Sequence, residues 1–184
     1  MSWYNQQSTI LSTIVHEVRK ETNTNLWKST KEVTDWFNTI QNKNDYTFIV
    51  FDICEFYPSI SQQLLNDAIT YASNYVPISN LEKRLIINTK NSTLYNNGIP
   101  WTKKNSENFD ITMGSFDGAE CCELVGLYIP SKLSQLEINV GLYRDDGLAV
   151  CKLSPQKTEN IKKRCANFLS LLVLTLQLKQ TKND

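Results

Sequence analysis

Residues Tyr46–Ile53 read Tyr-Thr-Phe-Ile-Val-Phe-Asp-Ile, a β-branched and aromatic run broken by a single acid. Such a run predicts a buried strand. An ionised carboxylate near its C-terminal end is costly unless a metal ion or hydrogen bonds compensate it. Any fold of this chain must therefore bring Asp52 to a place where a cation or donors can reach it.

A second segment supplies more acids. Ile138–Tyr143 and Leu148–Leu153 are short strand-like runs that flank Arg144-Asp145-Asp146-Gly147, a hairpin by pattern. Asp-Asp-Gly is also a good turn sequence in its own right, so the hairpin alone does not define a site. Around these segments the spacing predicts helices. Lys31–Ile40 carries Val33, Trp36, Phe37 and Ile40 on one face behind a Ser29/Glu32 capping pattern, and Ser61 caps a helix over Gln62–Asn74. A further helix is expected over Leu81–Thr89 and another from Ala119, which Pro130 should kink or end. Ser154-Pro155 opens a last helix reaching about Ser170. Asn91–Glu107, with Asn97-Gly98 and Pro100, reads as a loop or small hairpin. The order of elements suits an α+β fold, an antiparallel sheet with helices packed on one face.

Composition narrows the function without deciding it. With 184 residues, 41% of them hydrophobic, one domain with a real core is the default. Lys plus Arg and Asp plus Glu number 19 each, whereas a complete nucleic-acid polymerase usually carries a cationic excess to neutralise phosphates. The five cysteines (Cys54, Cys121, Cys122, Cys151, Cys165) form no CxxC and are expected in the core of a protein from a reducing compartment. No targeting segment is visible, and apolar Leu169–Leu176 is too short to span a bilayer, so no membrane partner is expected. His16 has no evident role.

One strand acid and a pair in a neighbouring hairpin are what nucleotidyl transfer needs to hold two divalent ions about 3.5–4 Å apart. Asp52, Asp145 and Asp146 satisfy that pattern. The surrounding residues strengthen it. Phe51-Asp52-Ile53-Cys54-Glu55-Phe56-Tyr57-Pro58-Ser59-Ile60, then Met113-Gly114-Ser115-Phe116-Asp117-Gly118-Ala119-Glu120, then Tyr143-Arg144-Asp145-Asp146 resemble motifs A, B and C (Tyr-x-Asp-Asp) of a reverse transcriptase, in the family's order. The resemblance covers roughly residues 25 to 165 and points to the palm of a retroelement enzyme.

That resemblance implies RNA-directed DNA polymerase activity with two Mg2+ ions (Mn2+ as a substitute), an RNA or DNA template-primer and deoxynucleoside triphosphates. Asp52 and Asp145 would be the principal metal ligands and Asp146 an accessory or structural acid. Tyr57 would be the aromatic sugar gate beside Phe56, and Gly114 and Ser115 would lie against the incoming nucleotide. Asp117, Glu120 and Glu123 depart from the Pro-Gln-Gly-type motif B of many members, and two of them are expected to cap or solvate the helix. Lys103 and Lys104 are expected in a solvated loop, with phosphate contact the less favoured reading.

Residues 52–60 also match motif A of family-B DNA polymerases, but those carry Tyr-x-Asp-Thr-Asp, a spacing absent at 143–146. The expected organisation is an N-terminal helical segment over 1–45, a palm over 46–170 and an aberrant tail over 171–184, a truncated polymerase without full fingers or thumb. A frameshift near residues 165–173 would account for such a tail. The alternative to an enzyme is an inactive retroelement remnant.

Overall fold

A computed structural model describes residues 3–91, 94–101, 109–112, 114–136, 138–152, 155–172 and 174–179. Its elements in chain order begin α1 (Trp3–Glu21), β1 (Asn25–Trp27), α2 (Thr30–Thr39), β2 (Thr47–Cys54), α3 (Phe56–Ser59), α4 (Gln62–Ala72) and α5 (Asn80–Asn88). They continue with β3 (Leu94–Asn96), β4 (Ile99–Trp101), α6 (Gly118–Leu133), β5 (Asn139–Tyr143), β6 (Asp146–Cys151), α7 (Pro155–Leu171) and β7 (Thr175–Lys179). Two compact units share the chain in alternation: Met1–Thr22 with Tyr57–Val125, and Asn23–Phe56 with Gly126–Asp184.

The first unit is helical, with one small hairpin. In α1, Leu11, Ile14, Val15 and Val18 are buried at helical spacing and the helix packs on α4 and α5. Ser61 caps α4 by accepting from the Leu64 amide, and Leu64, Leu65, Ala68, Ile69 and Ala72 form its inner face. A full capping box starts α5: Ser79 accepts from the Glu82 amide, and Glu82 accepts from the Ser79 amide. The Ser79 hydroxyl also donates to the Glu82 carboxylate at 2.6 Å, and that bond, with the one from the Ser79 amide, holds the Glu82 carboxyl below its ordinary range. The expected turn at Asn97-Gly98 joins β3 and β4, with both residues at positive φ.

The second unit is built on a five-stranded sheet of order β1-β5-β6-β2-β7. Pairing is antiparallel throughout except at β1, which runs parallel to β5. Along β2, Ile49, Phe51 and Ile53 are buried while Phe48, Val50, Asp52 and Cys54 on the other face are half-exposed. Helix α7 brings Thr158, Ile161, Cys165 and Leu169 to the interior, all buried. Gly126 of α6 lets Leu26 of β1 approach to 3.1 Å of where a Cβ would sit. The short α2 is the exception to helices on a single face. Its Trp36 and Phe37 meet Trp27 and Phe48, on the face that carries Asp52.

The helix that holds Pro130 runs three residues past it, to Leu133. Residues 175–179, expected in an aberrant tail, form β7 and pair with β2 from Val50 to Cys54. A helix and then a strand therefore follow the hairpin. No described helix is long and apolar enough to cross a membrane.

Candidate active site

Register carries the site. Asp52 of β2 stands directly opposite Asp146, the first residue of β6. The neighbouring Ile53 amide donates to the Asp145 carbonyl at 2.9 Å. Because bonded and non-bonded pairs alternate along an antiparallel ladder, Asp52–Asp146 is a non-hydrogen-bonded pair, the kind with Cα atoms only about 4.5 Å apart. Two carboxylates therefore project side by side from one sheet face, Asp52 half-buried and Asp146 exposed.

Asp145 reaches the same end by a different route. It is the second residue of the two-residue loop Arg144-Asp145 between β5 and β6, and its side chain is exposed. Arg144 has φ +58, a conformation that L side chains other than Asn and Asp rarely adopt, and its guanidinium stacks on the Tyr143 ring at 5.5 Å. Glu55, which follows β2 directly, also has positive φ, at +48. Strained backbone thus flanks the acids on both strands, a common mark of functional sites.

Glycine fixes the register. Gly147 faces Phe51 across the ladder, and a Cβ on Gly147 would lie 2.1 Å from the ring's Cζ. The Phe51 ring, only 1% exposed, fills the space that the missing side chain leaves. Sliding the strands by one residue would put that ring against a residue with a Cβ and part the two aspartates. Gly147→Ala is expected to destabilise the fold by about 1–3 kcal/mol through overpacking. Urea unfolding followed by circular dichroism measures this, and an unchanged midpoint would refute the interlock.

The residues that hold an ion can be judged by their chemistry. Among the described residues no group of three or more His, Cys, Asp or Glu side chains is placed to hold a metal. Magnesium at phosphoryl-transfer sites uses one or two carboxylates and fills its shell with water and substrate phosphates. The opposed pair Asp52–Asp146 fits that donor set. Asp146 faces Asp52 across the ladder, and Asp145 adjoins it in the loop.

The other expected residues fall in several places. Phe56 is 5% exposed and leaves almost no surface for a ligand. Half-buried Tyr57, in the helical unit, places its hydroxyl in hydrogen-bonding reach of the Cys122 thiol. Gly114 is exposed at φ +87 with open space where a Cβ would be. Ser115 turns its hydroxyl inward, where it has no hydrogen-bond partner among the described residues. The Ser115 Oγ lies 2.6 Å from where a Gly118 Cβ would be, so only glycine suits the start of α6. Met113, Lys103 and Lys104 lie outside the described residues.

The acids after Gly114 all have partners in the helical unit, though only Asp117 is buried. Asp117 is 6% exposed and forms a buried ion pair with Lys90, itself 3% exposed. Glu120 accepts from the Ser8 hydroxyl at 3.4 Å and Glu123 from Arg19 at 3.5 Å, both on α1. These side chains tie α6 and the residue before it to Lys90, just past α5, and to α1. Sequence reasoning missed Lys90, whose partner lies 27 residues away. The cysteines behave as expected of core residues: four are buried, and burial pushes the Cys121 thiol up to about 12 and Cys165 up to about 11.

No family model and no curated protein matches the chain. Solved structures do. Apo telomerase from Candida tropicalis matches with a TM-score of 0.70 at 14% identity, covering 97% of this chain and 37% of that one. Telomerase from the same organism in complex with a fragment of telomeric RNA gives 0.66 at 15% identity, covering 96% and 33%. The Candida albicans telomerase complex gives 0.61 at 10% identity, covering 98% and 35%. At such identities the likeness is one of fold, and the fold is reverse-transcriptase-like. The chain spans about a third to two-fifths of the length of those proteins.

Proposed function

We propose that this chain is the catalytic palm of a reverse transcriptase of retroelement type, which adds deoxynucleotides to a primer on an RNA or DNA template. The observation that carries the reading is the direct opposition of Asp52 and Asp146 at the end of a buried ladder, with Asp145 in the adjoining loop. Two like charges facing each other across a non-bonded pair are unfavourable for the sheet by themselves. A divalent cation between them would remove that repulsion, and paired carboxylates of this kind are the donors this chemistry uses.

In this reading Asp52, Asp145 and Asp146 together supply the carboxylates for magnesium, Asp145 from the loop and the other two from the ladder. Bound magnesium supplies activation of the primer hydroxyl and stabilisation of the leaving phosphate. The protein supplies position: the Phe51–Gly147 interlock keeps both carboxylates in register, and the strained Arg144 fixes the turn that presents Asp145.

Primer extension on RNA and DNA templates with magnesium tests the proposal. The wild-type chain is expected to extend, and Asp145→Ala to lose at least about a hundredfold in rate. A folded wild type that extends neither template would sink the reading and leave an inactive remnant in its place.

A further inference from the structure

A groove in the helical unit is lined by Asn66 of α4 and by Asn80, Lys83, Arg84, Ile87 and Asn88 of α5, and encloses about 430 Å³. Among the described residues two cations and three amides face it and no acid does. The nearest acids in sequence, Glu82 and Asp67, are not in its lining and accept from the Ser79 amide and hydroxyl and from the Gln63 amide. Lys83 Nζ donates to the Thr70 hydroxyl at 3.2 Å, a neutral partner that leaves its charge uncompensated. Exposed Arg84 has neither a hydrogen bond nor an ion pair among the described residues.

In a chain with 19 cationic and 19 acidic side chains, a cleft with cations alone is a local departure from neutrality. Its chemistry is specific. Lys and Arg neutralise phosphates while side-chain amides donate to phosphate and sugar oxygens without reading sequence. The lining contains no aromatic side chain on which a base could stack and one apolar residue, Ile87.

The geometry points to this groove as a sequence-independent seat for the phosphodiester backbone of a nucleic acid, separate from the aspartate site. The identity of the occupant rests on the polymerase reading, but the site itself does not. Lys83 and Arg84 each contact a phosphate, and Asn66, Asn80 and Asn88 provide the neutral donors around them.

Fluorescence anisotropy of a labelled primer-template, titrated at several salt concentrations with the full chain in EDTA, tests the seat without catalysis. The double variant Lys83→Gln/Arg84→Gln is expected to bind more weakly to unrelated sequences alike. Its slope of log affinity against log salt should fall by about 1.4–1.8, or two phosphates' worth. A charge-matched control, Lys31→Gln/Lys152→Gln, removes two exposed lysines elsewhere and should leave the slope unchanged.

If the double variant unfolds, Arg84→Gln alone should lower the slope by about 0.7–0.9. The proposal is overturned by a wild type that does not bind, by an unmoved slope, or by a control that lowers the slope equally. A wild type that extends primers with an unmoved groove slope fails this site alone. A reduced slope with extension indifferent to Asp52→Asn fails the polymerase reading alone.

Discussion

Asp52→Asn should lower primer extension by about 10²–10³-fold while leaving the protein as stable as before or slightly more so. The two halves of this result have one cause. Asp52 and Asp146 are directly opposed on neighbouring strands, and like charges in such a pair cost roughly 0.2–1 kcal/mol. Asparagine keeps the shape of the side chain and removes the repulsion. For a chain of this size the gain amounts to about 1–3 °C in melting temperature. Activity moves the other way, because an amide in place of the carboxylate weakens the hold on a divalent cation.

A side chain retained for stability alone would show the opposite pattern, with activity tracking fold. Thermal melting in EDTA and steady-state extension in magnesium, done on the same preparations, read both halves. Lower stability with unchanged extension would remove Asp52 from the site. Added magnesium should also raise the melting temperature of the wild type more than that of Asp52→Asn, since only a protein that binds the ion when folded gains from it.

The parts of this site that were legible in the sequence are those set by local chemistry. The Tyr46–Ile53 run became β2 within one residue at each end, and the caps at Ser29 and Ser61 formed as their side chains dictate. The hairpin was legible, but its second strand begins at Asp146, two residues before the apolar pattern starts at Leu148. That extension matters most for chemistry, because it is what sets Asp146 against Asp52.

It could not be read from periodicity. Gly147 carries no hydrophobic signal, and its role depends on a ring 96 positions earlier in the chain, Phe51. The three-residue β1 is too short to show alternation, and its parallel partner β5 lies more than a hundred residues on. Helix α1 falls in the expected N-terminal helical segment over 1–45, but its bounds were not legible, for a different reason. Leu11, Ile14, Val15 and Val18 have the right spacing, but polar residues surround them and acids are absent from the first turn.

Lys90→Met is the substitution expected to damage the fold most, by about 3–5 kcal/mol, because it strips a buried carboxylate of its cation. Lys90 lies just past α5, and its carbonyl accepts from the Asp110 amide while its ammonium pairs with Asp117. Asp117 in turn precedes the first residue of α6 and accepts the Cys121 amide through its carbonyl. One ion pair thus clamps the Gly114–Asp117 turn to the end of another helix.

The sign of the effect depends on which partners are removed. Two buried charges lose much of their hydration, and their attraction returns only part of it, so deleting both can be nearly neutral. Lys90→Met/Asp117→Leu should therefore recover most of the stability lost in Lys90→Met, with a coupling energy of about 2–3 kcal/mol in a double-mutant cycle. Chemical denaturation of the four proteins supplies the cycle. Additive losses would mean that the two groups act independently and that the clamp does not exist. Because neither residue belongs to the aspartate site, the double variant should keep primer extension if the pair is only a clamp. A fold restored without activity would show that the geometry of the Gly114–Asp117 turn, and not its stability, is what the polymerase reaction uses.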